Sequence, residues 1–141
     1  MPADPLRAID TRSWLAKAQV DLRSADADLA AAPPILGDAL FHCQQAVEKA
    51  LKAFLTWQDT PFPKTHDLVA LGGACVRFDA TLEPLLRSAA PLTEYAWKFR
   101  YPGDVPEPTR QETDRAVALA SQVVTAIGAR LPPEAKPLGI G

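Results

Sequence analysis

Two histidines and a set of scattered cations carry most of the chemistry open to this chain. Its 141 residues include 15 lysines and arginines but only the histidines His42 and His66. An imidazole exchanges a proton near neutral pH, and a guanidinium or ammonium group holds a phosphate. Acid–base chemistry at a phosphate ester needs these two functions side by side. Such chemistry therefore depends on whether the fold brings these groups together.

His66 follows Lys64 and Thr65 at the start of a predicted helix. Free backbone N–H groups at a helix start, together with Lys64, would form a seat for a phosphate. Asp67 opposes that role because it adds negative charge. In the alternative interpretation Thr65 caps the helix, Asp67 complements the helix dipole, and His66 bonds to a neighbouring helix to hold the loop.

Arg100 and Tyr101 stand at the end of another predicted helix. An arginine can hold phosphate or carboxylate with two parallel hydrogen bonds, and a tyrosine can stack on a base. A structural role is equally compatible with the sequence. In that case Arg100 interacts with the helix dipole while Tyr101 and Pro102 pack the turn.

The segment 41–55 must position these groups. It contains no glycine or proline and is rich in strong helix formers. On a helical wheel its polar residues form one narrow strip, which consists of His42, Gln45, Lys49, Lys52 and Thr56. The remainder is mostly apolar over roughly 240° of the circumference, which predicts a helix that is central or shared with a partner chain. His42, Lys49 and Lys52 either face solvent or line a groove that contacts phosphate.

Glu48 lies at the border of the apolar arc and needs a partner if it is buried. Lys52 is an uncertain partner from the sequence alone, whereas Arg100 or His66 would serve. We expect the interior helix and its neighbours to bring the lysine, imidazole and guanidinium groups into one crevice.

Helical periodicity continues along the whole chain, without the alternation that is typical of strands. Helices are predicted at 11–32, at 35–58, from Thr65, after Thr81 with a kink at Pro91, and from Thr109. Short connections favour an all-α, up-and-down bundle of about five helices. Residues 1–10 are predicted to be a flexible lead-in, 11–131 the bundle, and 132–141 a disordered tail.

Composition argues against several classes of function. A net charge of −2 and a pI of about 5.6 disfavour broad electrostatic binding of nucleic acid, although a local basic pocket is still allowed. The sequence has no membrane-length apolar run and no signal-peptide pattern, so a cytoplasmic location is expected. Cys43 and Cys75 are predicted to be buried free thiols. Because cysteine and histidine form no close-spaced ligand pair, we expect no metal and no cofactor.

Three blocks of sequence resemble the HEPN-domain family. The segment 44–53 is similar to the family's signature helix, 64–68 to its second block and 100–102 to its third. The resemblance covers about 14–131, and its structural motif positions are Gln44, Gln45, Glu48, Thr65 and Asp67. It implies a small helical bundle, often dimeric, like the substrate-binding partner of a minimal nucleotidyltransferase. Such pairs often act as toxin and antitoxin.

Many HEPN proteins are metal-independent ribonucleases whose motif is an arginine, four to six residues, then a histidine. No arginine stands at that interval before His42 or His66, and no histidine follows Arg100. The resemblance therefore predicts a homodimeric nucleotide- or RNA-binding partner of a nucleotidyltransferase, with no catalytic residue assigned. The candidate binding residues are Lys49, Lys52, Lys64, His66, Arg100 and Tyr101. The alternatives are a ribonuclease toxin that combines Arg100 with His66, and a non-catalytic dimerising scaffold.

Overall fold

The fold is built from helices alone. The computed structural model describes residues 4–103 and 105–138, and within them it contains five α-helices and no strand. The helices are α1 (Pro5–Ala30), α2 (Leu36–Trp57), α3 (Leu68–Val76), α4 (Glu83–Ala89) and α5 (Arg110–Gly128). Three short 3₁₀ segments, Ala80–Leu82, Ala90–Ala96 and Pro133–Ala135, join or follow them. The prediction of an all-α bundle of about five helices is confirmed.

The first two helices form an antiparallel hairpin. Contacts pair residues near position 28 of α1 with 38 of α2, 21 with 42 and 49, 14 with 52, and 7 with 57. The residue numbers in α2 rise as those of their contacts in α1 fall, so the two helices run antiparallel. Polar side chains of α1 are thereby placed against the polar strip of α2.

Helix α2 is the interior element, as its sequence predicts. It contacts α1, α3, α5 and the 3₁₀ segment Ala90–Ala96. Thirteen of its 22 residues are buried, among them the small side chains Ala46, Ala50 and Ala53. Small residues let neighbouring backbones approach closely, and the long side chains around them fill the core.

The N-terminal end of the chain differs from its prediction. Helix α1 begins at Pro5 rather than Thr11, so residues 5–10 are helical and the flexible lead-in is wrong there. Proline fits the first turn of a helix, and the Asp4 carboxylate accepts a hydrogen bond of 3.0 Å from the Leu6 N–H. Residues 1–3 of the predicted lead-in lie outside the described residues.

Two further helix boundaries are corrected. The N-cap of α3 is Asp67, which accepts from the Val69 N–H at 2.9 Å, whereas Thr65 was predicted. The helix predicted after Thr81 does not continue with a kink. Instead α4 ends at Ala89 and the chain goes on as a 3₁₀ segment, because Pro91 cannot donate the hydrogen bond that an α-helix needs.

Helix α5 and the residues after it close the bundle. Thr109 and Glu112 form the predicted capping box, and Glu112 also accepts from the buried Tyr95 hydroxyl at 2.8 Å. Ala135 is fully buried, and Arg12 of α1 donates to the Glu134 carbonyl at 3.1 Å. The predicted disordered tail is therefore wrong for residues 132–136, whereas Leu138 is fully exposed and 139–141 lie outside the described residues.

Among the described residues, none of the helices combines the length and apolar character that crossing a bilayer requires.

Candidate functional site

Polar side chains follow α2 from Asp38 to Lys52. The two residues are fourteen positions apart, which corresponds to about 21 Å of helix. The groups along this line divide into two sets. We call Gln44, Glu48, Lys52 and His66 the Glu48 network, and Asp21, Asp28, Asp38, His42 and Arg100 the Asp38 cluster.

Glu48 is the centre of the first set. Its carboxylate accepts from Lys52 Nζ at 2.9 Å and from Gln44 Nε2 at 3.1 Å, and it meets His66 Nδ1 at 2.7 Å. Burial alone would raise the pKa of this carboxyl group, but the hydrogen bonds from His66, Lys52 and Gln44 outweigh it and lower the pKa from 4.5. Glu48 is therefore a buried anion whose partners stabilise its charge.

Lys52 is enclosed rather than presented to a ligand. Its side chain is 9% exposed, and its ammonium group lies 5.5 Å from the Trp14 ring centroid and 5.7 Å from that of Phe62. Cation–π contacts of this kind are stronger when the cation is desolvated. Its ion pair with Glu48 and these rings give Lys52 a structural position in the core.

His66 connects the loop before α3 to α2. Besides its ring contact with Glu48, its carbonyl accepts from Gln44 Nε2 at 3.0 Å. Thr65 Oγ1 accepts from the Asp67 N–H at 3.0 Å. The histidine thus makes the helix-to-loop bond of the structural interpretation. Its side chain remains 63% exposed.

Lys49 and His42 share a carboxylate of α1. Asp21 is buried, and its oxygens lie 2.6 Å from Lys49 Nζ and 2.8 Å from His42 Nδ1. The two oxygens of Asp21 therefore carry one cation and one imidazole. Lys49 is bound within the protein, and His42 is left with its other nitrogen, Nε2, facing away from Asp21.

Arg100 lies beside His42, not beside His66. His42 Nε2 is 3.2 Å from Asp38 Oδ2, and Arg100 Nη1 is 3.9 Å from Asp38 Oδ1. Asp38 and Glu48 are ten positions apart, about 15 Å along α2. Because Arg100 and His66 attach at these separate points, the prediction of one crevice that gathers all the cations is wrong.

A cavity of about 580 Å³ opens at the start of α2. Residues 33–38 form one wall, and residues 98–103 with Val105 and Glu107 form the other. Arg100 lies over the Phe41 ring, with its guanidinium carbon 3.8 Å from the ring centroid. Tyr101 is 77% exposed at the rim. We call this space the α2 cavity.

Close contact between the two walls depends on Gly37. A Cβ atom added to this glycine would lie 2.9 Å from Phe99 Cβ, a separation that real Cβ atoms do not adopt. The N-cap residue Ile35 provides no side-chain hydrogen bond to the first turn of α2. Among the described residues, the backbone N–H groups of that turn are therefore not capped by Ile35 and face the cavity end of the helix.

One group among the described residues has the donor set of a metal site. Asp28, Asp38 and His42 each offer a ligand atom, and these atoms lie within 4.8 Å of one another. Burial and the neighbouring Asp38 carboxyl group raise the pKa of Asp28 to about 6. No metal was predicted from the sequence because only cysteine and histidine were considered as ligands.

The cysteines are buried free thiols, as predicted. Burial raises the pKa of both Cys43 and Cys75 to about 12, so neither is a reactive thiolate at neutral pH.

Comparison with known proteins decides the family. The chain matches the family model of the HEPN domain over residues 11–130. The protein belongs to the HEPN-domain family. Comparisons with curated proteins and with solved structures each gave no match. The segment 44–53, which resembles the HEPN signature helix, lies within α2, and its residues Gln44 and Glu48 belong to the Glu48 network.

The sequence did not assign Asp21, Asp28 or Asp38 to a site in this HEPN protein, whereas His42 was named as a possible groove residue on the polar strip. The register of the α1–α2 hairpin is what brings Asp21 and Asp28 to α2. The residue numbers of side chains that meet across the hairpin sum to between 63 and 70, as 28 with 38 and 21 with 42 do. A hairpin register with this sum would have placed Asp21 and Asp28 beside α2.

Proposed function

We propose that this HEPN protein binds a nucleotide, or the phosphate-bearing end of an RNA, in the α2 cavity as the partner of a minimal nucleotidyltransferase. One observation carries the proposal. Arg100, whose guanidinium lies over the Phe41 ring, lines a cavity whose opposite wall includes the first turn of α2, and the N-cap residue Ile35 makes no side-chain hydrogen bond to that turn. The proposal includes a two-gene module of the toxin–antitoxin kind.

The phosphate would lie between Arg100 and the start of α2. Backbone N–H groups and the positive end of the helix dipole favour an anion at a helix start. An arginine adds two parallel hydrogen bonds. The 3.9 Å between Arg100 Nη1 and Asp38 Oδ1 exceeds hydrogen-bond length, so Asp38 does not take these donors from a ligand.

The base would stack on Tyr101. This ring lies at the rim of the cavity, next in sequence to the arginine that would hold the phosphate. Stacking of a base on an aromatic side chain contributes about 1–3 kcal/mol and tolerates any base. The site therefore favours a nucleotide over inorganic phosphate, without strong preference for one base.

One sequence feature favours binding over cleavage. No arginine stands at the family's usual interval before His42 or His66. The association with a nucleotidyltransferase rests on the family, whose members are commonly encoded beside one.

Isothermal titration of the purified protein with AMP, ATP and inorganic phosphate tests the binding. We expect AMP to bind more tightly than phosphate, and Arg100→Ala to weaken AMP at least about tenfold, since a charge-assisted hydrogen bond contributes about 1.5–3 kcal/mol. Lys64→Ala removes an exposed cation outside the cavity and should leave AMP affinity unchanged. Equal weakening by both variants would contradict the assignment. A repeat with the co-encoded transferase tests the partnership.

A second function is favoured by one specific contact. The Asp21–His42 pair and Arg100 meet at Asp38, which supplies an oriented imidazole beside a guanidinium. Such a pair could remove a proton from a 2′-hydroxyl while the arginine holds the phosphate. In this alternative, RNA cleavage is lost in His42→Ala and kept in His66→Ala, whereas the sequence had suggested His66.

We also propose the homodimer that the family resemblance predicts. Leu6, Ile9 and Val20 lie within about 60° of one another on the wheel of α1, and their exposed fractions are 68%, 45% and 51%. Apolar residues on one face of a helix favour association. Light scattering of the wild type and of Ile9→Glu tests it: we expect a dimer and a monomer respectively, and a wild-type monomer would contradict it. A scaffold without any ligand is the remaining alternative.

A further inference from the structure

Two carboxylates and an imidazole converge where α1 ends and α2 begins. Asp28 comes from the last turns of α1, while Asp38 and His42 are one turn apart on α2. Their ligand atoms lie within 4.8 Å of one another. Neighbouring positions on one helix, faced by a side chain of a second, form a donor set that both helices hold in place.

The Asp28 carboxylate is incompletely satisfied. Its Oδ2 atom is buried and has no hydrogen-bond partner among the described residues. A buried carboxylate oxygen normally has a partner, because desolvation without one is costly. The second carboxylate, Asp38, faces it and adds repulsion. A cation between the two would supply the missing partner and remove the repulsion.

His42 has the orientation of a metal-bound histidine. Its Nδ1 meets Asp21 Oδ1 at 2.8 Å, which leaves Nε2 towards Asp38. A carboxylate on one ring nitrogen fixes the tautomer in which the other nitrogen carries a lone pair for a metal. Of the neighbouring cations, Lys49 is already paired with the second oxygen of Asp21. Arg100 Nη1 lies 3.9 Å from Asp38 Oδ1, beyond hydrogen-bond length.

We propose that Asp28, Asp38 and His42 bind a divalent transition-metal ion beside the α2 cavity. Two carboxylates and one imidazole suit Mn²⁺ or Zn²⁺, and three protein ligands leave coordination positions open. Asp38 also lines the α2 cavity. On the proposed function, the open positions would accept a phosphate oxygen of the nucleotide, so that the bound ligand is a metal–nucleotide complex.

Titration of the full chain, first stripped with a chelator, against Mn²⁺ and Zn²⁺ tests the ion site without any nucleotide. We expect one saturable site in the wild type and its loss in Asp28→Asn. Asp21→Asn should weaken the affinity for the ion about 10–100-fold, as removal of a carboxylate that hydrogen-bonds to a metal-bound histidine does. Asp10→Asn removes the same charge from an exposed position on α1 and is the matched control.

Three readouts keep the outcomes separate. Far-ultraviolet circular dichroism checks that each variant folds, and broadening of the His42 ring signals by Mn²⁺ in an NMR spectrum locates the ion even if a variant unfolds. Absence of saturable binding, or equal binding by Asp28→Asn and Asp10→Asn, overturns the ion site. AMP binding to the chelator-treated protein is measured separately, so that a failure of the ion site is distinguished from a failure of the nucleotide site.

Discussion

The middle and the start of α2 each hold an acid, an imidazole and a cation, but these groups differ in their separation and in their exposure. In the Glu48 network an acid, an imidazole and a lysine meet at 2.7–2.9 Å, and the acid and the lysine are at most 9% exposed. In the Asp38 cluster the separations from Asp38 are 3.2 and 3.9 Å, and Asp38 and Arg100 are 41% and 42% exposed. Short, buried contacts fix the fold, whereas long, exposed ones leave donors for a ligand.

Breaking the Glu48 network should have the largest effect on stability. Lys52→Met keeps most of the side chain's volume but leaves the Glu48 carboxylate buried without its ammonium partner. Loss of one member of a buried ion pair costs about 3–5 kcal/mol. Urea unfolding followed by circular dichroism measures the free energy of unfolding.

The Arg110–Asp114 pair supplies the matched control. It has the same i,i+4 spacing and a separation of 3.0 Å, but its side chains are 53% and 55% exposed. Arg110→Met should change the free energy of unfolding by less than about 1 kcal/mol. Similar losses in the two variants would mean that burial does not distinguish the middle of α2.

At the start of α2, the stability of the protein should depend on side-chain volume rather than on side-chain charge. Gly37→Ala places a Cβ atom 2.9 Å from Phe99 Cβ, which must move the wall that carries Arg100. Such overpacking costs about 1–3 kcal/mol, and we also expect weaker binding of AMP. Gly73→Ala, in α3, meets nothing within 4 Å and should stabilise the protein by about 0.5–1 kcal/mol. Thermal unfolding of both variants checks this, and destabilisation by Gly73→Ala would contradict it.

Lowering the pH should weaken the Glu48 network gradually, and by less than the substitutions above. The pKa of Glu48 is lowered in the folded protein because the bonds from His66, Lys52 and Gln44 outweigh the effect of burial. The unfolded chain then binds more protons, so this contribution is present above pH 4.5 and is lost as the pH falls below it. Urea midpoints between pH 3 and 7 should fall less steeply for Glu48→Gln than for the wild type. Parallel curves would contradict the assigned cause.

Local sequence patterns predicted α2 well. A segment without glycine or proline, apolar around most of its circumference, has to be covered by other helices. Glu48 also required a partner for the same reason, and His66 was named as one. The capping box of α5 is equally local, because Thr109 and Glu112 are three residues apart.

The Asp38 cluster could not be predicted in this way. Asp21 and Asp28 reach α2 only through the register of the α1–α2 hairpin, which depends on how the core packs. Arg100 is brought there by the 3₁₀ segment that replaces the predicted helix after Ala89. The sequence named Arg100 and Tyr101 as candidates from residue type, but paired Arg100 with the wrong histidine.

The affinity for AMP of Arg100→Ala and of His66→Ala, measured side by side with the wild type, tests the central claim most directly. The two variants remove one candidate from each region. Because His66→Ala also removes a partner of the buried Glu48 carboxylate, circular dichroism must first show that both variants are folded. We predict that Arg100→Ala weakens AMP binding at least about tenfold, the loss of one charge-assisted contact, while His66→Ala changes it less than about twofold. Weakening by His66→Ala with Arg100→Ala unchanged would place the ligand at the Glu48 network and contradict this account.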